Sequence, residues 1–199
     1  MRILLTLSIC FTSFVLFAQS ETMNHYSFQG IEMNMKVNAF VTELNKKGYS
    51  TIYHEEDISG YVLEGTFAGI HDCEIYVLGT PKSKTTWKVV VKFPEKNSWY
   101  LIKNDYNELV ESYTKKYGKP KDHREFFSYP YEDGDGYEMT AISTKKCHYI
   151  TMYETDVATI DISIEKGYKG GAYIRVSYED KINTDLRTNE KNEIINDDI

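Results

Sequence analysis

The chain is poor in cysteine and tryptophan, with three and two residues in 199. Beyond its N-terminus no stretch is long and apolar enough to cross a membrane, which takes about 20 such residues. Basic residues are not in excess either. The formal net charge is −7, and an acidic surface repels nucleic acid and anionic lipid, so neither is an expected partner. Catalytic signatures are missing as well: there is no G-x-S-x-G elbow, no H-E-x-x-H and no C-G-x-C-W context, the arrangements that ready a nucleophile or a catalytic zinc. Gly65-Thr-Phe-Ala-Gly69 lacks the lysine and the strand-to-helix setting of a phosphate loop, and its glycines fit a bend or bulge in a strand. No reaction is therefore assigned, no cofactor is expected, and an enzyme would have to be assembled from residues distant in sequence.

What the chain does carry starts at its N-terminus. Arg2 precedes an apolar run from Ile3 to Phe17, and Ala18 closes it with a small residue, the layout of a secretory signal peptide over residues 1–18. Thr6, Ser8, Thr12 and Ser13 interrupt the run, which favours a cleaved leader over a spanning anchor. Cys10 follows Ile9 in mid-run, so a lipid anchor is not expected. The protein is expected to be exported, periplasmic or secreted, with its partners among envelope or extracellular molecules.

Removing the leader removes Cys10 and leaves Cys73 and Cys147. In an oxidising compartment these two can pair, and closing a loop of about 75 residues would add roughly 4 kcal/mol in the chain-entropy model. Two separately buried thiols satisfy the spacing equally well. A third arrangement is a zinc site of His71, Cys73, Cys147 and His148, two sulfurs and two nitrogens, although tight ligand spacing is absent.

Along the mature chain the hydrophobic pattern appears twice. Asn38 to Lys47 reads as a helix with Val37, Phe40, Val41 and Leu44 at i, i+3, i+4 and i+7 and Gly48 as its stop. Strand-like runs follow at 49–53, 60–67, 73–78 and 87–93. Asp105 to Tyr117 reads as a second helix stopped by Gly118 and Pro120, and strands are expected at 138–143, 148–153, 159–164 and 172–178. In Thr159-Ile-Asp-Ile-Ser-Ile164 isoleucine alternates strictly with polar residues, as in a strand with one wet face. The expected fold is α+β: two tandem helix-then-antiparallel-strand units, residues 26–98 and 99–182, with helices packed on one face of a shared or paired antiparallel sheet. Residues 183–199 read as a polar, disordered tail.

Three polar or aromatic features are candidates for function. Asp133, Asp135 and Glu138, spaced around two glycines, offer oxygens for calcium, while the same run also reads as a solvated turn. His54-Glu-Glu-Asp57 groups a histidine with carboxylates, but consecutive positions scatter side chains instead of converging them. The 17 tyrosines outnumber the 9 phenylalanines, which suits a large half-exposed sheet and, alternatively, an aromatic binding platform.

Phe28-Gln-Gly-Ile31, the helix ending in Lys47-Gly48-Tyr49, Leu63 to Gly69 leading to Cys73, Val89-Val-Val-Lys-Phe-Pro94 and Tyr117-Gly-Lys-Pro120 resemble an uncharacterised family of small secreted proteins from gut-type Gram-negative bacteria. The resemblance spans about residues 26 to 185 and implies location and fold, with no activity. More distantly, helix-then-strand units with Y-G-x-P after the helix are similar to periplasmic beta-lactamase-inhibitor-like modules, whose concave sheet face binds a protein. The expected function is an exported non-enzymatic binding module for a protein or an envelope glycan. The alternatives are a small envelope hydrolase, in which one of His54, His71, His123 and His148 meets a carboxylate or Cys147, and a structural or assembly component of the envelope.

Overall fold

The computed structural model describes residues 24–55 and 59–197. The expected leader over residues 1–18 lies outside the described residues, as do Glu56 and Asp57. Strands β1 (Ser27–Phe28) and β2 (Ile31–Glu32) form a short hairpin. Helix α1 (Val37–Lys46) follows and buries Val37, Phe40, Val41 and Leu44, the four residues of the expected stripe. Gly48 at φ 95° lets the chain reverse, a conformation glycine takes without a Cβ clash. Strands β3 (Ser50–Glu55), β4 (Gly60–Phe67), β5 (Ile70–Gly79) and β6 (Thr86–Lys92) come next, then α2 (Trp99–Tyr117). After α2 run β7 (Asp122–Phe127), α3 (Glu138–Ser143), β8 (Cys147–Glu154), β9 (Ala158–Lys166), β10 (Ala172–Asp180) and α4 (Lys181–Asp197).

The eight strands from β3 to β10 form one antiparallel sheet in the order β3-β4-β5-β6-β10-β9-β8-β7. This overturns the expectation of two tandem helix-strand units. Val89 and Val91 of β6 stand in register with Tyr178 and Val176 of β10, and all four are buried. Separate units would leave both strands as apolar edges with unpaired backbone groups, which is costly. Pairing them makes one sheet and one continuous core.

Three further elements differ from the sequence pattern. Residues 138–143, expected as a strand, form α3, because Glu138, Ala141 and Ile142 fall at i, i+3 and i+4 and are buried together. The charged β7 was not expected at all and closes the sheet at one edge. The expected disordered tail 183–199 is instead helix α4 as far as Asp197. Polar bonds hold it: Asn183 donates to the carbonyls of Met33 (2.6 Å) and Thr86 (2.9 Å), and Glu190 accepts from the backbone N–H of Lys82 (2.7 Å). Among the described residues no helix is long and apolar enough to cross a membrane.

Part of the tyrosine set is buried and does not lie on a half-exposed face. Tyr26, Tyr106, Tyr149, Tyr153 and Tyr178 are buried, and much of this group gathers beneath α2. Buried hydroxyls require partners, and those of Tyr26, Tyr106, Tyr153 and Tyr178 find one nearby. Tyr106 meets Thr151 Oγ1 at 2.6 Å, Tyr26 meets Tyr117 at 2.9 Å, Tyr153 donates to the carbonyl of Val110 at 2.9 Å, and Tyr113 bonds Tyr178.

Candidate ligand groove at one end of the sheet

The first residues of β5, β8 and β10 and the last residues of β6 and β9 lie at the same end of the sheet. There the turn Gly167-Tyr-Lys-Gly-Gly171 joins β9 to β10. Gly167 N–H donates to the Gly171 carbonyl at 2.8 Å. The Glu95 carboxylate accepts from the backbone N–H of Tyr168 (2.9 Å) and of Lys169 (3.1 Å). A Cβ on Gly167 would lie 2.2 Å from Glu95 Oε2, and one on Gly171 would lie 2.8 Å from the Lys96 carbonyl. Both glycines therefore permit the close approach that fixes the turn. At its tip the Tyr168 side chain stands 94% exposed. Its backbone is held by Glu95, and the apolar face of its ring lies open to solvent although apolar surface favours burial.

On one side of the ring lies a cleft of about 400 Å³ lined by Asp72, Glu74, Lys92, Glu95, Asn97 and Tyr168, among others. Lys92 Nζ is 3.1 Å from Glu74 and sits over the rings of Tyr168 (5.8 Å) and Tyr173 (5.2 Å). Tyr76 donates its hydroxyl hydrogen to the other oxygen of Glu74. Burial works to raise the pKa of Glu74, but the bonds from Tyr76 and Lys92 outweigh it and hold the carboxyl below its ordinary value. Burial, with Glu74 alongside, pushes the Tyr76 phenol up. This side of the groove is polar, with Glu74 held as the carboxylate.

On the other side lies a cleft of about 590 Å³, bordered by Ile142, Lys145, Cys147, His148, Lys166 and again Tyr168. Burial pushes the Cys147 thiol up to about 12, which favours the protonated thiol over the thiolate at neutral pH. His148 Nε2 meets Ser128 Oγ at 2.8 Å, and the imidazole stacks on Phe126 at 4.7 Å. Among the described residues no carboxylate bonds the other ring nitrogen of His148, so this pair lacks the orienting group of a catalytic triad. His123 does meet a carboxylate, Glu125 at 3.4 Å, and bonds Thr151 at 2.8 Å. Thr151 is fully buried, however, and closed to substrate.

The sites expected from sequence do not form. Cys73 is buried in β5 and Cys147 lies in β8, both as free thiols. Strands β6, β10 and β9 lie between them, which sets the two about 19 Å apart along the sheet at about 4.8 Å per strand. A disulfide needs Cα atoms within about 7 Å, so neither the bridge nor the zinc set His71, Cys73, Cys147 and His148 assembles. The calcium set is committed elsewhere. Asp133 accepts from Trp99 Nε1 (3.0 Å) and from Lys103, whose ammonium holds the carboxyl below its usual value. Asp135 accepts from the N–H of Glu132 and of Tyr137, and Glu138 accepts from the N–H of Gly134. Among the described residues no three His, Cys, Asp or Glu side chains group to hold a metal ion.

Comparison of the chain with protein families, curated proteins and solved structures finds no match.

Tyr168, Glu95 and the flanking glycines were missed in the sequence. The signal was local for one of them: Gly167-Tyr-Lys-Gly-Gly171 is a turn dense in glycine with a lone aromatic at its tip. Glu95 has no such signal, standing 73 residues away from Tyr168.

Proposed function

We propose that the protein is an exported, non-enzymatic binding module that holds a saccharide against the ring of Tyr168. The observation that carries this reading is the ring's 94% exposure on a turn fixed by Glu95. An amphipathic aromatic face supplies contact area at low entropic cost, since its backbone is fixed beforehand and the side chain has only two torsions to settle. The lining beside it favours a hydroxylated ligand over an apolar one. Most small-molecule pockets are chiefly apolar, whereas Asp72, Glu74, Lys92 and Asn97 present donors and acceptors here. Among the described residues Asp72 and Asn97 make no side-chain hydrogen bond that a ligand would have to break. Export is part of the same proposal and rests on the pattern of Arg2 to Ala18.

The test is a glycan array probed with the wild-type chain and with Tyr168→Ala. The reading expects a saccharide signal for the wild type that the variant loses while its melting temperature stays unchanged. Equal signals from the two proteins would remove Tyr168 from the site.

A further inference from the structure

Tyr168 borders both clefts and is the one residue their linings share, at the same end of the sheet. Each falls within the range of about 300–1,000 Å³ typical of small-molecule sites. Their charges differ. In the first cleft Glu74 pairs with Lys92 and Glu95 accepts from the backbone N–H groups of the turn, while Asp72 and Lys169 form no ion pair among the described residues. In the second cleft Glu165 is engaged by Arg175 at 3.4 Å and by Ser163 at 2.8 Å, while Lys145 and Lys166 have no carboxylate within ion-pair distance among the described residues. His148, which faces the same space, bonds Ser128 and stacks on Phe126. By formal charge the first cleft is thus −1, with Asp72, Glu74 and Glu95 against Lys92 and Lys169, and the second is +1, with Lys145 and Lys166 against Glu165, on a chain whose formal charge is −7.

We infer that the ligand is an anionic saccharide chain: one unit stacks on Tyr168 near Asp72 and Asn97, and a carboxylate or sulfate of the adjoining unit sits between Lys145 and Lys166. This rests on the reading of Tyr168 as a saccharide platform. A lysine ammonium recognises either anion as a point charge with several donors. Both lysines are exposed, so removing their charge leaves the fold intact.

The experiment uses two matched pairs of probes: polygalacturonate with its fully methyl-esterified form, and dextran sulfate with dextran. Binding is measured by calorimetry at physiological ionic strength. The wild type should bind at least one anionic probe more tightly than its neutral counterpart by about tenfold, the size of one charge-assisted hydrogen bond. Lys145→Gln combined with Lys166→Gln should erase that preference and leave binding of the neutral form unchanged, whereas Tyr168→Ala should remove both. Equal binding of charged and neutral forms overturns the anionic inference and leaves the saccharide platform standing. Binding of none of the four overturns both. Tighter binding of an oligothymidylate than of any saccharide would also overturn both, since stacking platforms flanked by lysine serve single-stranded nucleic acid as well.

Discussion

The Glu95 carboxylate accepts the backbone N–H of Tyr168 at 2.9 Å and that of Lys169 at 3.1 Å. One side chain from the β6–α2 connection thereby fixes the turn between β9 and β10, and the backbone that carries the exposed ring has a defined position before any ligand arrives. Glu95→Ala should lower unfolding stability by about 1–2 kcal/mol, since bonds to a charged acceptor are worth about 1.5–3 kcal/mol when buried and less when half-exposed. Saccharide binding should fall with it, while Glu95→Gln, which keeps one acceptor oxygen, should fall between. Urea unfolding and binding measured on the same samples check this.

Gly167 and Gly171 flank that ring, and neither leaves room for a side chain. An added Cβ at Gly167 would lie 2.2 Å from Glu95 Oε2 and 2.9 Å from the Gly171 carbonyl, and one at Gly171 would lie 2.6 Å from Asn97 Oδ1 and 2.8 Å from the Lys96 carbonyl. Because each meets a backbone carbonyl, Gly167→Ala and Gly171→Ala should each cost about 2 kcal/mol, within the range of overpacking. Gly167→Ala also displaces Glu95, which accepts the Tyr168 N–H, and so should weaken ligand binding more than Gly171→Ala does. Denaturation midpoints set beside ligand affinities check both expectations.

Helix α4 depends on Asn183, which is 2% exposed and bonds two carbonyls from separate segments. Asn183→Ala leaves the Met33 and Thr86 carbonyls without that donor, at about 2 kcal/mol. Amide hydrogen exchange should show α4 opening ahead of the sheet in this variant, and equal protection of both would contradict the role given to Asn183.

The buried tyrosines make the fold sensitive to alkali. Burial raises the phenols of Tyr113 and Tyr178 above their ordinary value of 10. Raised groups keep their protons in the folded state, so the stability they contribute is present below pH 10 and is lost as pH climbs past it. Cys147, raised to about 12 from 9, acts in the same direction between those values. Ultraviolet titration should show the exposed phenols ionising first and the remainder ionising with unfolding. Full ionisation before unfolding would contradict the buried hydroxyl network.

Much of the architecture could be read in the sequence because it is governed by local periodicity. The stripe Val37, Phe40, Val41 and Leu44 gave α1, and the alternation in 159–164 gave β9. Other parts had no local signal. The joining of β6 to β10 pairs Val91 with Val176, a contact between distant segments. Residues 138–143 fit two periods, and the burial of Glu138, Ala141 and Ile142 decided for a helix. Hydropathy could not reveal α4, since Asn183 and Glu190 anchor it through hydrogen bonds. The groove was least legible of all: the GYKGG turn is visible in the sequence, but the carboxylate that fixes it and the clefts on either side come from β5, β6, α3 and β8.

Tyrosine-ring NMR spectra recorded with and without saccharide test the central claim most directly, with Tyr168→Phe assigning the Tyr168 signal. The ring resonances of Tyr168 should shift on addition of the ligand, while those of buried Tyr106 and Tyr178 stay in place. A bound saccharide that leaves Tyr168 unmoved would contradict the account.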